Sequence, residues 1–387
     1  MGFRRPVEKG YIVNWEAERA IWEHEFFSAN APLKCDPRST NLILSEPSNS
    51  PVALQTNTDQ IIFEEFGFAS YYRTISPVLA SCNPYHTLFS DPAPSSQANT
   101  SQVLPTELLL LIDSSYSHTT ITPLIQGRPI QPAIRRLPLG GKHLSNYLAE
   151  LISLRHFSLI EEPYLVNQIK EDVSFICPDS STFSSSLEAC WRGPKSARRR
   201  PDPSIALDYV LPDYEHTTRG FTRPHDASHA ARMARLGVSQ SLAPGAHAEE
   251  VFPLANERFT VPETLFTPSL LSAPYAGLPG TVFQSLAALP TSLHAAFLAN
   301  VVCVGGNALI PGFVTRLENE IRSMADAGTE VRVRRAEDPV RSTWMGGARL
   351  GSDGEVRRKL SVTKEEYMEY GSGWVARQFR ERRVGGL

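Results

Sequence analysis

Apolar runs alternate with helix-spaced apolar stripes along this chain, and this alternation predicts a mixed α/β structure. Residues 108–112 and 301–304 are unbroken apolar runs of strand length, the pattern of buried strands. After Pro163, a favourable first residue of a helix, Val166, Ile169 and Val173 recur at helical spacing. The stripe predicts a helix with one buried face and leaves Lys170 pointing elsewhere.

Each of the two apolar runs ends in a turn of small or polar residues. Asp113-Ser114-Ser115-Tyr116-Ser117 follows the first run, and Gly305-Gly306-Asn307 follows the second. Small turn residues let backbone N–H groups approach a phosphate, and the N-terminus of a following helix favours an anion. Taken alone, each turn is more often ordinary turn chemistry. Together they predict a nucleotide cleft between two lobes.

Three segments break the pattern with Pro, Ser, Gly or charged residues, and we expect solvated loops or insertions there. They are residues 83–106, 178–204 and 222–247. The second carries a basic run that could contact DNA or an acidic partner, or could simply be solvated. The run comprises Lys195, Arg198, Arg199 and Arg200. His225, His229 and His247 lack metal-ligand spacing, so we predict no metal site.

Composition limits the remaining possibilities. The chain has 387 residues, 41% of them apolar and 20% charged, which suits a globular protein with a substantial core. A net charge of −3 gives no global attraction to nucleic acid or anionic lipid. The five cysteines are scattered without a C-x-x-C pair, so we expect reduced thiols. No apolar run is long enough to predict a membrane span.

The order of several further motifs resembles the actin family, most closely its nuclear actin-related protein 6 subfamily. A prominent block is Asn256-Glu257-Arg258-Phe259 followed by Pro262-Glu263, and the Gly305-Gly306-Asn307 turn with Pro311-Gly312 is another. The remaining blocks lie at 5–15, 58–66, 113–117, 139–148, 344–348 and 363–367. The matching positions run from residue 5 to residue 367.

The resemblance implies the actin-type α/β fold, with two lobes and a central nucleotide cleft. We expect residues 1–137 in the first lobe, 138–310 in the second, and 311–387 returning to the first and ending in a tail. The family's first phosphate loop and small second subdomain would precede Met1, so the first lobe is expected to be incomplete. An incomplete gene model is our preferred interpretation, ahead of a splice form or a shortened protein.

The resemblance also assigns cofactor-binding positions for ATP or ADP with magnesium. These are Asp113, Ser114, Ser115, Tyr116, Gly141, Lys170, Gly305, Gly306 and Asn307. Two family residues that serve hydrolysis are replaced, a Gln by Ser76 and a His by Thr120. Asn167 and Tyr164 replace charged neighbours on the adenosine side. We therefore predict no catalytic residue, weak or absent nucleotide binding, and no useful turnover.

Three functions compete at this point. The resemblance implies a non-catalytic nuclear scaffold of an SWR-type remodelling complex that exchanges a core histone for its Z variant. Its expected partners are the motor subunit and a zinc-finger HIT-type subunit, with histones or the nucleosome as further candidates. The alternatives are an actin-like ATP-binding protein with weak or no ATPase, and a cytoskeletal subunit. We expect nuclear and also cytoplasmic localisation, no membrane association and no filaments.

Overall fold

A computed structural model describes residues 5–89, 106–192, 200–202, 204–215, 217–226 and 250–381. Its strands are β1 (Val7–Glu8), β2 (Tyr11–Ile12), β3 (Asn41–Glu46), β4 (Ser70–Ile75), β5 (Leu108–Ser114), β6 (Thr119–Ile125), β7 (Arg128–Pro129), β8 (Arg135–Leu137), β9 (Trp191–Arg192), β10 (Arg200–Pro201), β11 (Leu207–Val210), β12 (Phe221–Pro224), β13 (Val251–Leu254), β14 (Val301–Val304), β15 (Val333–Arg335) and β16 (Val362–Thr363). The predicted strands at 108–112 and 301–304 are confirmed as β5 and β14.

The helices carry the amphipathic stripes of the sequence. They are α1 (Trp15–Phe27), α2 (Val52–Gln60), α3 (Ser76–Ser81), α4 (Gly141–Arg155), α5 (Pro163–Val173), α6 (Ser180–Ala189), α7 (Glu257–Glu263), α8 (Gly277–Leu286), α9 (Thr291–Leu298), α10 (Phe313–Met324), α11 (Ser342–Ser352), α12 (Gly354–Leu360) and α13 (Lys364–Glu381). A π-helical turn, Ile61–Phe66, continues α2 and ends at Gly67 in the left-handed conformation. In the described part of the chain, no helix has both the length and the apolar character that a membrane span requires.

The chain divides into two compact units. Unit 1 comprises residues 1–138, 280–308 and 325–387, and unit 2 comprises residues 139–279 and 309–324. These limits differ from the lobes expected from sequence, because residues 280–308, expected in the second lobe, group with unit 1, and residues 311–324, expected in the first, group with unit 2. The reason for the first difference is strand pairing, since β14 lies parallel to β5 within the unit 1 sheet.

Unit 1 contains the largest sheet among the described residues, with the strand order β15-β14-β5-β6-β7 and with β8 paired to β6. Strands β14, β5 and β15 are parallel, whereas β6 runs antiparallel to β5. A second sheet of order β16-β4-β3 pairs β3 and β4 in parallel. Apolar side chains from both sheets share a core that includes Leu109, Leu111, Val302, Val304 and Tyr72.

Unit 2 has a smaller antiparallel sheet of order β12-β11-β13 and the helices α4, α5, α6, α7 and α10. Helix α5 buries Val166, Ile169 and Val173, as its stripe predicts. One small core cluster gathers Cys177, Cys190 and Phe259. All five cysteines are free thiols, as expected.

All three predicted loop segments contain ordered residues, so those predictions were partly wrong. Residues 222–224 of the third segment belong to β12. The segment 178–204 begins with α6, because Asp179 caps the helix by accepting a hydrogen bond from the backbone N–H of Thr182. In the segment 83–106, Asn83 and Tyr85 are buried rather than solvated. The basic residues Lys195, Arg198 and Arg199, like His229 and His247, lie outside the described residues, as do 90–105 and 227–249.

Candidate functional site

The two predicted turns lie side by side in unit 1. Strands β5 and β14 are parallel and in register, with Val304 opposite Asp113, so their carboxyl ends share one sheet edge. Gly305 follows β14 with φ +88°, in the left-handed region. A Cβ atom there would lie 2.4 Å from the Ser114 carbonyl oxygen and 2.8 Å from Asp113 Oδ1. Only glycine permits this approach of the two turns.

Asn307 fastens the second turn to the first. Its Nδ2 atom donates to Ser114 Oγ at 3.1 Å and to the Ser115 carbonyl oxygen at 3.0 Å. The Asn307 amide is buried, so these bonds replace water that it would otherwise bind. Gly306 is different, because a Cβ atom at this position would meet no described atom within 4 Å. The structure thus brings together the predicted residues Asp113, Ser114, Ser115, Gly305, Gly306 and Asn307.

A cavity of about 260 Å³ lies beside the first turn, within unit 1. Asp113, Ser115, Ser76 and Thr120 line it, which places both replaced hydrolysis positions next to the predicted carboxylate. The other lining residues are Ser45, Glu46, Pro47, Ser48, Pro77 and His118. Sequence reasoning missed Glu46 and His118. The parallel pairing of β3 with β4 explains Glu46, because this pairing puts it beside Ile75 and hence next to Ser76.

The lining of this cavity is rich in oxygen atoms and contains no Lys or Arg among the described residues. Burial raises the pKa of the Asp113 carboxyl group, although a hydrogen bond from Ser115 opposes the rise. Burial and the nearby Arg136 lower the pKa of His118 to about 4, so its ring is neutral at pH 7. A phosphate entering the cavity would therefore find no cationic side chain on its wall.

The backbone N–H groups of the two turns are also partly used. The Ser115 N–H donates to the His118 carbonyl oxygen at 3.2 Å, and the Gly305 N–H donates to the Pro339 carbonyl oxygen at 2.8 Å. A phosphate cradle needs such donors to point at the ligand. Tyr116 does not line the cavity, since its ring stacks under the Arg5 guanidinium with 4.6 Å from Arg5 Cζ to the ring centroid.

The other two predicted residues, Gly141 and Lys170, meet within unit 2. Lys170 is buried, and its Nζ atom donates to Asn167 Oδ1 at 2.7 Å, Ser145 Oγ at 3.2 Å and the Gly141 carbonyl oxygen at 3.3 Å. An ammonium group has three N–H donors, so these acceptors account for all of them. Asn167 Nδ2 also donates to Glu171 Oε1 at 2.7 Å.

Burial lowers the pKa of Lys170 to about 8, while Glu171 opposes the shift. The side chain is therefore still mostly protonated at pH 7 and keeps its three bonds. Asn167, which replaces a charged residue of the family, thus has a structural role. Its side-chain amide accepts a hydrogen bond from Lys170 and donates one to Glu171. Ser145 was not predicted; its hydroxyl lies one helical turn from Gly141 and donates to the Gly141 carbonyl oxygen at 3.0 Å.

Comparison with known proteins settles the family. The profile of the family described as Actin matches residues 1–380. The chain belongs to the actin family. Its predicted actin-type α/β fold is confirmed by this match together with the mixed α/β architecture.

The curated relatives are actin-related proteins. The chain is 48% identical over 386 residues to "Actin-like protein arp6" of Aspergillus fumigatus, which covers 98% of this chain and 81% of that relative. It is 47% identical over 382 residues to "Actin-related protein 6" of Neurospora crassa, covering 98% and 82%. The Drosophila melanogaster protein of that name is 33% identical over 364 residues, covering 94% and 82%. These values place the actin-family chain with the actin-related protein 6 group.

Membership of the actin family suggests a nucleotide with magnesium, and the residues of this chain fit that group poorly. Asp113 and Glu46 supply the carboxylate oxygens that magnesium prefers. The described cavity wall has no cation for the phosphates, and Lys170 already uses its three donors. Among the described residues, no group of three or more His, Cys, Asp or Glu side chains gathers as a metal site. His225 instead pairs with Asp208 at 2.6 Å.

Proposed function

We propose that this chain is a non-catalytic scaffold subunit of a nuclear SWR-type chromatin-remodelling complex that exchanges a core histone for its Z variant. The observation that carries the proposal is the similarity to relatives named actin-related protein 6 over 94–98% of the chain. The cavity adds support, since Ser76 and Thr120 line it at the two positions where family residues that serve hydrolysis are replaced. The scaffold would bind the motor subunit and a zinc-finger HIT-type subunit, and it would act mainly in the nucleus.

We expect no turnover, because Ser76 and Thr120 stand at the two replaced hydrolysis positions beside Asp113. Orienting and deprotonating an attacking water takes a group with a pKa near the operating pH, at hydrogen-bond distance. Ser76 and Thr120 offer only hydroxyl groups, which do not act as bases near pH 7. Restoring the family residues with Ser76→Gln and Thr120→His is the informative comparison. We expect no phosphate release from ATP and magnesium by the parent chain, and measurable release by the parent would contradict this part of the proposal.

Weak binding of ATP or ADP is a second candidate, favoured by the oxygen-lined cavity of about 260 Å³ at Asp113. Titration with a fluorescent ATP analogue in magnesium would measure it. We expect Asp113→Ala to weaken binding relative to the parent, because it removes one of the two carboxylates that line the cavity. Asn319→Ala is a control, since that amide donates to the Pro178 carbonyl oxygen on an exposed part of unit 2. Equal affinity of the parent and Asp113→Ala would show that the cavity is not the binding site.

The scaffold function is tested in nuclei in which a tagged copy replaces the native protein. We expect the tagged chain to purify with a remodelling motor in a stable complex, and its depletion to lower Z-variant occupancy in nucleosomes. An Asp113→Ala copy should restore occupancy as well as the parent does, since the proposed role needs no chemistry at that carboxylate. Failure to recover a motor, or loss of occupancy with Asp113→Ala alone, would overturn the proposal.

A further inference from the structure

The connection between α4 and α5 presents large apolar side chains to solvent at one end of this helix pair. We call residues 154–164 the α4–α5 turn. The exposed fraction is 82% for Leu154, 62% for Ile160 and 67% for Tyr164. Leu154 and Tyr164 lie off the buried faces of their helices, which carry Leu148 and Ile152 in α4 and Leu165, Ile169 and Val173 in α5. Their exposure is therefore set by helix geometry.

Two basic residues of the same turn, Arg155 and His156, bond to the residues beneath it. Arg155 donates to the buried carboxylate of Glu257 and, at 3.2 Å, to Asn256 Oδ1. His156 Nε2 lies 3.1 Å from the Pro253 carbonyl oxygen. Loss of the inward bonds would cost unit 2 stability, whereas the outward apolar groups contribute little to its fold.

Aromatic packing holds the turn in place. The Phe157 ring packs edge-on against Phe252 at 5.3 Å between centroids with an interplanar angle of 86°, and the His156 ring lies 5.3 Å from the same ring. These contacts hold the backbone of the turn from which the exposed apolar side chains project. Such preorganisation lowers the entropic cost of binding a partner.

The charge around the exposed apolar groups is negative. Glu150, Glu161 and Glu162 are exposed, and none is paired with Lys or Arg in the described part of the chain. Arg155 is paired with Glu257, and burial lowers the pKa of His156 so that its ring is neutral at pH 7. A partner whose apolar side chains are flanked by Lys or Arg would meet complementary charge here, and an acidic partner would be repelled.

We propose that the α4–α5 turn is a docking surface for a basic amphipathic helix of a partner protein. Leu154, Ile160 and Tyr164 would contact its apolar face, and the three glutamates would contact its Lys or Arg rim. An amphipathic helix fits because the turn has no strand edge with which an extended peptide could pair, so side chains must provide the binding. The surface stands independently of the proposed scaffold function.

The test uses the 387-residue chain and two synthetic peptides. Each is a stapled helix of about 18 residues with Leu or Ile at i, i+3, i+4 and i+7, and its flanking positions are all Lys in one peptide and all Glu in the other. Fluorescence anisotropy should show binding of the Lys peptide and affinity about tenfold or more lower for the Glu peptide. Raising the salt concentration from about 0.05 M to about 0.5 M should lower the affinity for the Lys peptide.

Variants locate the binding to the turn. Ile160→Ser/Tyr164→Ser should weaken the Lys peptide by about tenfold or more, because a few large side chains dominate such interfaces. Leu270→Ser/Tyr275→Ser is the matched control, since it removes the same side-chain classes from other exposed positions in unit 2. All four residues are exposed, so both variants should fold as the parent does.

Three results would overturn the proposal. The first is equal affinity of the parent for the Lys and Glu peptides. The second is an affinity of Ile160→Ser/Tyr164→Ser for the Lys peptide that equals that of the parent. The third is a loss of affinity in Leu270→Ser/Tyr275→Ser as large as that in Ile160→Ser/Tyr164→Ser. Sedimentation of the parent without peptide tests whether a second copy of this chain binds the surface instead. Concentration-dependent dimerisation abolished by Ile160→Ser/Tyr164→Ser would assign the surface to a second copy of this chain and would also overturn the proposal.

Discussion

Among the described residues, each unit buries one arginine almost completely, and the two arginines differ in how fully they are hydrogen-bonded. In unit 2, Arg316 uses all five of its N–H donors within hydrogen-bond distance. It binds both oxygens of Glu263 at 2.8 and 3.1 Å, Glu320 at 2.8 Å, Ser180 Oγ at 3.1 Å and the Cys177 carbonyl oxygen at 3.2 Å. This arginine ties α7, α10 and the start of α6 together.

In unit 1, Arg73 lies close to two carboxylates without well-formed hydrogen bonds. Its Nη1 atom is 3.1 Å from Asp59 Oδ1, and its Nε atom is 3.7 Å from Glu46 Oε2. Among the described residues, neither Arg73 atom nor Asp59 Oδ1 has a hydrogen-bond partner of acceptable geometry. A cavity of about 360 Å³ borders the group, lined by Glu46, Arg73, Gln55 and Phe379.

The difference shows how the two units use buried charge. A fully hydrogen-bonded ion pair favours one arrangement of the helices that carry it. Removing one partner leaves an unpaired charge in the buried core. A partly bonded cluster beside a cavity can respond to loss of a partner by admitting water or by taking up a proton. We therefore expect unit 2 to be sensitive to changes at Arg316, and unit 1 to be more tolerant at Arg73.

The largest effect is expected from Arg316→Met. The variant keeps much of the side-chain volume but leaves Glu263 buried without its partner, and we expect a loss of about 3–5 kcal/mol in the free energy of unfolding. Urea denaturation would measure it, and hydrogen exchange should rise in α7 and α10 while β3 and β4 remain protected. The double variant Arg316→Met/Glu263→Leu is the control and should recover most of the loss. A single-variant loss below about 1 kcal/mol would refute the comparison.

A smaller effect is expected from Arg73→Met. Burial, with a contribution from Glu46, raises the pKa of Asp59 to about 7 against the opposing effect of Arg73. Asp59 can therefore be protonated when its partner is lost, and Glu46 retains bonds from Gln55 Nε2 at 2.9 and 3.1 Å. We expect a loss of about 1–3 kcal/mol by urea denaturation at pH 7. A loss equal to that of Arg316→Met would show that hydrogen-bond geometry does not distinguish the two sites.

The next prediction is a change in the pH dependence of stability on Asp59→Asn. The folded-state pKa of Asp59, about 7, lies above its ordinary value of 3.8, so the folded protein binds more protons between these values. The contribution of this group is fully present below about pH 4 and is lost as the pH rises through about 7. The difference in stability between Asp59→Asn and the parent should therefore shift in favour of the variant over that range. His118 has the opposite dependence, but its contribution cancels in the difference. A difference independent of pH would rule out the raised pKa.

The strands and turns of the candidate site were predictable because their signals are local. Apolar runs followed by small residues indicated β5 and β14, and parallel pairing then placed Asp113 beside Gly305. The bonds around Lys170 were less accessible to sequence reasoning. Asn167 lies three residues away on the same helix, but Ser145 comes from α4, and its position depends on how α4 packs against α5.

Helix α6 shows a different limit of sequence reasoning. Its serine-rich sequence has weak helix propensity and resembles a solvated loop. The Asp179 cap, with Thr182 three residues later, was the available signal, and the contact of Ser180 with Arg316 supplies tertiary stabilisation that no local pattern reveals. Likewise, the buried position of Asn83 depends on its amide donating to the Ser342 carbonyl oxygen at 2.8 Å, 259 residues along the chain.

The smallest effect is expected from Ser180→Ala, which removes one partner of Arg316 and leaves its pair with Glu263. The Ser180 hydroxyl accepts from Arg316 Nη2 and donates to Glu320 Oε1, each at 3.1 Å. We expect a loss of about 0.5–1.5 kcal/mol by urea denaturation, the contribution of a typical hydrogen bond. Ser184→Ala is the matched control on α6, because that hydroxyl donates only to the Ser180 carbonyl oxygen of its own helix at 3.0 Å. If both alanine variants unfold at the same urea concentration, Ser180 does not contribute to the stability of the unit 2 network. The hydrogen bonds that matter for Arg316 are then those to Glu263, Glu320 and the Cys177 carbonyl oxygen.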